Sequence, residues 1–475
     1  MQPSSRAFTD NAARALGDAD QRRALEKLQR DFRADRAKVL ARLPEFEALT
    51  HEAKAIKDHV LEHLDFYLEL FEEKVSALGG KVHWCRTARE ARETVLAICR
   101  EAGARTLTKG KSMISEEIAL NAFLEENGIA AHETDLGEYI LQLRGEPPSH
   151  IIMPVIHLNR RQIAEAFRDG HRGLDPDRPL DAPRALLDEA RAELRGKFLA
   201  ADAGVTGANF LVAETGSAVI VTNEGNGDLT HTLPKVHIVL ASIEKVVPTV
   251  EDAMTLVRVL ARSGTAQEIT SYTTFAAGPR RPDDADGPEA FHVVLLDNGR
   301  SEILGGEFRE VLRCIRCGAC QSVCPVYGAI GGHAYGWVYA GPIGAVLTPA
   351  LLGIEEARHL PEASTFCGLC EAVCPMRIPL PGLMRRWREK AFAAKLSPAV
   401  QRRGLGLWAF LAQRPALYRA LARAAVGLLA LAGRGKGRFR RLPLASGWTG
   451  SRDMPAPQGG TFMDQWKSRT RRNAA

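Results

Sequence analysis

The first eighty residues and the two hundred that follow carry different rhythms of apolar and polar positions. Val60, Leu61, Leu64, Tyr67, Leu68 and Phe71 recur three and four apart among Glu, Lys and Asp, the stripe of an amphipathic helix. Residues 1–78 therefore read as a helical N-terminal arm, ended by Gly79-Gly80 and expected to pack on the next domain or on a partner subunit. From Lys81 the apolar runs shorten, and strands are expected near 82–85, 106–108, 129–133, 151–156, 210–212, 218–221, 236–240 and 291–296. Helices are expected between them. Thr87-Ala88-Arg89-Glu90 has a capping-box pattern, Pro183 suits a first helical turn, and Thr249-Val250-Glu251-Asp252 caps a third helix. This alternation predicts an α/β domain over residues 79–303, with a mainly parallel sheet covered by helices. Neither a Gly-x-Gly-x-x-Gly nor a Walker loop occurs, which argues against a dinucleotide fold or a P-loop enzyme.

The next eighty residues, 304–385, are punctuated by cysteine. Seven of the chain's nine cysteines form Cys314-x2-Cys317-x2-Cys320-x3-Cys324-Pro325 and Cys367-x2-Cys370-x3-Cys374-Pro375. The first is the bacterial ferredoxin run, whose fourth cysteine serves a second iron–sulfur cluster. Zinc ribbons use two separated pairs instead, and disulfide frameworks belong to short secreted chains. In the two-cluster arrangement Cys314, Cys317, Cys320 and Cys374 share one cluster, leaving Cys324, Cys367 and Cys370 for the other. Ferredoxin spacing would place an eighth cysteine at 364, where the chain has serine. Three alternatives stay open: Ser364 or a neighbour such as His333 or His359 supplies the fourth bond, the site holds three irons, or one iron is open to a ligand. A helix starting near Gly382 is expected to shield the clusters from water.

Composition alters this picture little, but charge alters it more. The 475 residues suggest two to four domains, and 45% hydrophobic with 25% charged residues is ordinary for a globular protein. The net charge of +6 conceals a split: from Met376 onward there are 21 Lys and Arg against 3 Asp and Glu. Residues 386–475 thus form a basic region, helical around Gly404–Leu431, with a poorly ordered tail expected from about Ser446. Such a region seeks an anionic membrane surface, an acidic partner or nucleic acid, the last being disfavoured. No uninterrupted apolar stretch of about eighteen residues is present, so no transmembrane helix is expected. Free thiols, cluster ligation and the lack of a recognisable signal peptide fit a cytoplasmic protein, peripheral at most to the inner face of the membrane.

Four polar, glycine-bearing stretches of the α/β domain are candidates for contact with a small anion. Lys109-Gly110-Lys111-Ser112 lies where a strand passes into a helix. Glu214-Thr215-Gly216-Ser217 lies between two strands and also reads as a hairpin turn. Asn223-Glu224-Gly225-Asn226-Gly227 holds more turn-formers than one turn needs, and Arg280-Arg281 could grip a carboxylate. The candidate contacts are Lys109, Lys111, Glu214, Asn226, Arg280 and Arg281.

Several longer stretches carry a resemblance. They are Lys109-Gly-Lys-Ser-Met-Ile-Ser-Glu-Glu-Ile118, Glu133-Thr-Asp-Leu-Gly-Glu-Tyr139, Glu214-Thr-Gly216 and Thr222-Asn-Glu-Gly-Asn-Gly227. To these add Thr273-Thr-Phe-Ala-Ala-Gly-Pro-Arg-Arg281, His292-Val-Val-Leu-Leu-Asp-Asn-Gly-Arg300, Gly332-His-Ala-Tyr-Gly-Trp-Val338 and both cysteine runs. Over essentially its whole length the chain resembles the lactate utilisation protein B family, iron–sulfur members of a three-protein L-lactate oxidation system. The resemblance implies a NagB/CoA-transferase-like α/β domain, then a ferredoxin-like domain with two [4Fe-4S] clusters and a family-specific C-terminal region. It implies the same division of cysteines between clusters, and a family pattern that itself has seven, so Ser364 is no departure. It also implies an electron-carrying subunit of a non-NAD lactate-oxidising complex, working with the other two proteins and an unidentified acceptor to permit growth on lactate. The rival expectation is a catalytic α/β domain, a small-anion oxidoreductase or a CoA-transferase-like subunit with Glu214 as nucleophile.

Overall fold

In a computed structural model the chain is described over residues 3–435, 437–442, 445–450 and 452–473. It divides into two units, Met1–Ala391 and Phe392–Ala475.

The helical spacing of the arm produces four helices, α1 (Phe8–Gly17), α2 (Ala19–Ala41), α3 (Phe46–Glu62) and α4 (Leu64–Ala77). Asp18 starts α2 by accepting hydrogen bonds from the backbone N–H groups of Asp20 and Gln21. The arm serves two neighbours. Phe71 and Val75 of α4 pack on the sheet of the α/β domain. Leu25, Leu28 and Phe32 of α2 instead join the core that holds the cysteine runs. There Gln29 Nε2 donates to the Cys324 carbonyl at 2.6 Å, Arg33 to Val323 at 2.9 Å and Arg36 to Val373 at 3.3 Å.

The α/β region contains β1 (Lys81–Cys85), β2 (Thr106–Lys109), β3 (Ala130–Glu133), β4 (Ala203–Gly207), β5 (Phe210–Val212), β6 (Ser217–Thr222), β7 (Val236–Ser242), β8 (Val246–Val247), β9 (Tyr272–Ala276) and β10 (Ala290–Leu296). Six of them form a wholly parallel sheet in the order β1-β10-β7-β4-β2-β3. Period-two alternation decides what covers each face. Ile238, Leu240, Val294 and Leu296 meet Val95, Leu96 and Cys99 of the helix α5 (Ala88–Glu101). Val239, Ala241, Val293 and Leu295, one residue out of step, meet α4. Near-continuous apolar strands are what a sheet covered on both faces requires.

The chain leaves β2 for β3 on one side and returns to β4 on the other. The ends of β2 and β4 therefore flank the switch point where open parallel sheets form a crevice. Gly204 of β4 is irreplaceable for a steric reason: a Cβ there would sit 1.8 Å from the Thr230 carbonyl oxygen. A second, four-stranded sheet, β8-β5-β6-β9, packs beside the first. Its β5–β6 hairpin turns at Gly216, φ 67°.

Two local expectations need correction. Residues 151–156 form no strand but a chain of turns. Pro154 removes a ladder donor, and the Ile152 and Met153 N–H groups bond to His150 Nδ1 instead, while that of Ile151 bonds to Gln321. Strand β4 was not expected, because Ala203-Gly-Val-Thr-Gly207 lacks the bulky branched run that marks strands.

In the second unit, helices Ala399–Ala412 and Pro415–Ala432 precede two short paired strands and a helix Phe462–Asn473. Pro415–Ala432 stands where no uninterrupted apolar stretch and no transmembrane helix were expected. Its 18 residues have mean hydropathy 1.3, enough by length and composition to cross a membrane, and none of the stretch is buried. Arg419 and Arg423 interrupt the apolar run without lowering its average below that of a span. The terminal helix stands where a poorly ordered tail was expected; residues 451 and 474–475 of that tail lie outside the described residues.

Candidate metal centres and an adjoining cleft

The two cysteine runs build the same loop twice. Arg316-Cys317-Gly318 and Phe366-Cys367-Gly368 each take positive φ on both sides of the cysteine, 61° and 70° in the first, 53° and 81° in the second. A left-handed glycine costs nothing, whereas a left-handed Arg or Phe is strained and persists where surrounding structure holds it. Each loop then enters a short helix, Ala319–Val323 or Leu369–Ala372, and each run closes with Cys-Pro. Successive turns of this kind aim backbone N–H groups inward, toward negative charge.

The structure gathers the cysteines around two cavities. Cys314, Cys317, Cys320 and Cys374 line one of about 360 Å³, with Ile315, Ile343, Met376 and Ile378 as its apolar wall. Cys324, Cys367 and Cys370 line the other, of about 320 Å³, with Ser364, Phe366 and Met384. Cys367 is exposed, whereas Cys317 and Cys320 are buried. Ser364 thus lies among the second set, its Oγ accepting the Phe366 N–H at 3.1 Å. His333 is occupied elsewhere, bonded to the Pro147 carbonyl at 2.7 Å, and neither it nor His359 lines a cysteine cavity.

This donor set fits iron–sulfur groups. Burial pushes the Cys374 thiol up to about 11 and the Cys370 thiol to about 12, and raises Cys317 and Cys320 further. Bare, these four buried thiols stay protonated, and bound iron would displace their protons. The Arg316 N–H reaches Cys314 Sγ at 3.4 Å and the Tyr327 N–H reaches Cys324 Sγ at 3.5 Å. Such bonds and apolar walls are the means by which proteins stabilise cluster sulfur. Among the described residues no three His, Cys, Asp or Glu converge closely enough to hold a single metal ion.

Against the first cavity lies a cleft of about 1220 Å³, open to solvent, at the ends of β2 and β4. Arg316 and Ile151 line both. Gly264, another lining residue, packs so near Cys317 that a Cβ would stand 3.0 Å from its carbonyl oxygen. Of the six candidate anion contacts, the structure brings Lys111 and Asn226 to the cleft. Lys109 lies fully buried outside its lining, paired with Glu133 at 2.8 Å and Glu116 at 3.0 Å. Glu214 is exposed on the hairpin, accepting the Val250 N–H at 2.8 Å. Arg280 and Arg281 occupy a surface loop beside Glu289 and Asp284.

The sequence reading missed Lys245 and Arg316 as cleft residues. Glu244-Lys245 is a charged pair inside the apolar run 236–247, a legible sign of buried function. Arg316 was hidden by its place between two cysteines. Beneath the cleft these charges form a network. Arg300 bonds bidentately to Glu117, with Nη2 2.7 Å from Oε2, and its Nε lies 3.0 Å from Glu244, close but not aligned for a hydrogen bond. Arg316 reaches Glu244 at 3.2 Å and stacks 4.9 Å over the Tyr339 ring, whose hydroxyl donates to Glu117 at 2.6 Å.

Comparison with known proteins agrees with this layout. Residues 68–296 match the LUD domain family, and residues 310–378 match the 4Fe-4S dicluster domain. Proteins named "Lactate utilization protein B" from Bacillus thuringiensis (strain Al Hakam), Bacillus cereus (strain AH187) and Bacillus anthracis (strain A0248) are each 41% identical over 470 residues, covering 98% of this chain and 98% of their own. A crystal structure of a DUF162 family protein from Deinococcus radiodurans overlaps 49% of this chain and 98% of its own at 14% identity, with a TM-score of 0.27.

Proposed function

The chain belongs to the lactate utilization protein B family, and from that premise we propose that it is the iron–sulfur, electron-transferring subunit of a system that oxidises L-lactate to pyruvate. The observation that carries this reading is the pair of neighbouring cysteine cavities, one with four thiols and one with three. Lactate oxidation releases two electrons, and two bound [4Fe-4S] clusters would supply two one-electron acceptors. Cys314, Cys317, Cys320 and Cys374 hold the first, and Cys324, Cys367 and Cys370 hold the second, with Ser364 beside its remaining position. The chain's other residues exclude water and offset charge. Ile343, Ile378 and Met376 keep the first site dry, and the Arg36, Arg313 and Arg316 guanidiniums answer the negative thiolates.

The α/β domain belongs, in the same reading, to the NagB/CoA-transferase-like type, and the partners are the two other proteins of the system. Glu214, the nucleophile of the rival reading, is exposed on its hairpin outside the cleft. The test is anaerobic purification with those two proteins, followed by addition of L-lactate and EPR. Reduction of both centres by L-lactate is expected; unreduced centres in the complete, iron-loaded assembly would overturn the reading.

The second unit supports a location at the inner face of the membrane. Leu405, Leu407, Trp408 and Phe410 of one helix and Leu417, Leu421, Leu428 and Leu431 of the next are exposed among arginines. Apolar side chains with basic neighbours fit the interface of an anionic bilayer. The full chain is expected to co-sediment with phosphatidylglycerol vesicles and not with phosphatidylcholine ones, and the double change Leu421→Glu, Leu428→Glu to abolish this. Equal recovery with both vesicle types would refute it.

A further inference from the structure

We propose that the cleft at the ends of β2 and β4 is a binding site, on this chain, for a small 2-hydroxy carboxylate, with Lys245 as the partner of its carboxylate and Asn226 as the partner of its hydroxyl. The choice of acid rests on the lactate reading above; the existence of the site rests on the cleft itself.

Lys245 lines the cleft at 8% exposure. Its neighbour Glu244 is engaged by Arg300 and Arg316, and the Lys245 ammonium has no ion pair or hydrogen bond among the described residues. Glu244 and Cys314 attract the ammonium without bonding to it, so its hydrogen-bond donors are open to an anion in the cleft. Arg316, on the same wall, adds positive charge and carries it to the edge of the first cysteine cavity.

Asn226 specifies more than charge. Its Nδ2 donates to Thr134 Oγ1 at 3.4 Å, and Thr134 in turn donates to the Lys109 carbonyl at 2.9 Å, which fixes the orientation of the amide. Oδ1 of this cleft-lining residue is left buried with no partner. A buried acceptor of this kind calls for an O–H or N–H donor. A carboxylate alone has none, whereas a hydroxyl on the adjacent carbon supplies one. The position also matches the crevice where open parallel sheets take their ligands. The exposed residues Asn223, Glu224 and Thr265 leave the mouth open to solvent.

The experiment is calorimetric titration of the full, iron-loaded chain, without its partner proteins, using L-lactate, pyruvate and inorganic phosphate. L-lactate is expected to bind saturably, and pyruvate, which lacks the donor, roughly tenfold more weakly. Lys245→Met is expected to weaken L-lactate by at least about tenfold at unchanged iron content, and Arg281→Ala to bind as the parent does. Should Lys245→Met fail to load iron, Asn226→Leu carries the test, with lactate falling to the pyruvate level. Undiminished binding by these variants, or tighter binding of phosphate than of lactate, overturns the proposal. If lactate reduces the centres when the partners are present but gives no heat with this chain alone, the cleft proposal falls and the relay reading stands. Binding here without reduction in the complete assembly leaves the cleft proposal standing and removes the relay reading.

Discussion

Cys320→Ser is expected to cost the protein about half of its iron while leaving the rest of the fold in place. Cys320 lies on the buried helix Ala319–Val323 and lines the cavity shared with Cys314, Cys317 and Cys374. A serine oxygen is a harder donor with a shorter reach than a thiolate sulfur, so at a position shaped for sulfur it is a poor replacement for that ligand to iron. The second cavity draws on Cys324, Cys367 and Cys370, none of which the change touches. Iron analysis of anaerobically reconstituted protein therefore separates the sets. Cys320→Ser and Cys370→Ser should each retain about half the parent iron, and the double variant almost none. Parent-level iron in Cys320→Ser would mean that the four-cysteine set is misassigned.

The second large effect concerns the buried charges between the cleft and the cysteine runs. Arg300 is fully buried, with Glu117 on one side and Glu244 on the other. Removing one partner strands the other in an apolar interior, at a cost of about 3–5 kcal/mol. Arg300→Met should therefore lower the urea midpoint of the full chain far more than Arg423→Met, whose pair with Asp464 is half-exposed on the surface. Acid should act on the same network. Burial alone would raise the Glu117 and Glu244 carboxyls, but Arg300, aided at Glu244 by Arg316, overcomes this and holds both low, Glu244 at about 2. Carboxyls held low contribute stability that is complete above their ordinary value of 4.5 and is lost as pH falls toward the folded value. Glu117→Gln should accordingly flatten the decline of stability as pH falls below 4.5 while lowering it at neutral pH. An unchanged acid profile would show that the network does not govern stability in that range.

Particular residues show where sequence sufficed. Thr87, Thr249 and Pro183 begin helices as their side chains require. The branched runs 236–240 and 291–296 lie in β7 and β10 because a covered parallel sheet needs apolar residues on both faces. Cysteine spacing was legible because a short loop can bring its own residues around one cavity. The cleft was not, because its parts come from β2, β4, the turn after Ser242 and the first cysteine run, and no local pattern records that meeting. Lys109 and Lys111 stand two apart in one motif, yet one pairs with carboxylates beneath the surface and the other lines the cleft. Period alone could not say which way either points. The arm misled in another way: its stripe announced burial but not that α2 and α4 cover different neighbours.

The two repeated loops differ in their outlook. Cys317 is enclosed, with the cleft behind Arg316, whereas Cys367 faces solvent, and beside it Phe366 is overlain by Arg388 at 4.2 Å and Arg385 at 5.8 Å. A relay assembled on this scaffold would have distinguishable ends, one beside the solvent-open cleft and one flanked by two arginines. The two ends would then meet different neighbours, and an acidic collar would suit a partner docking on the arginine-flanked side best.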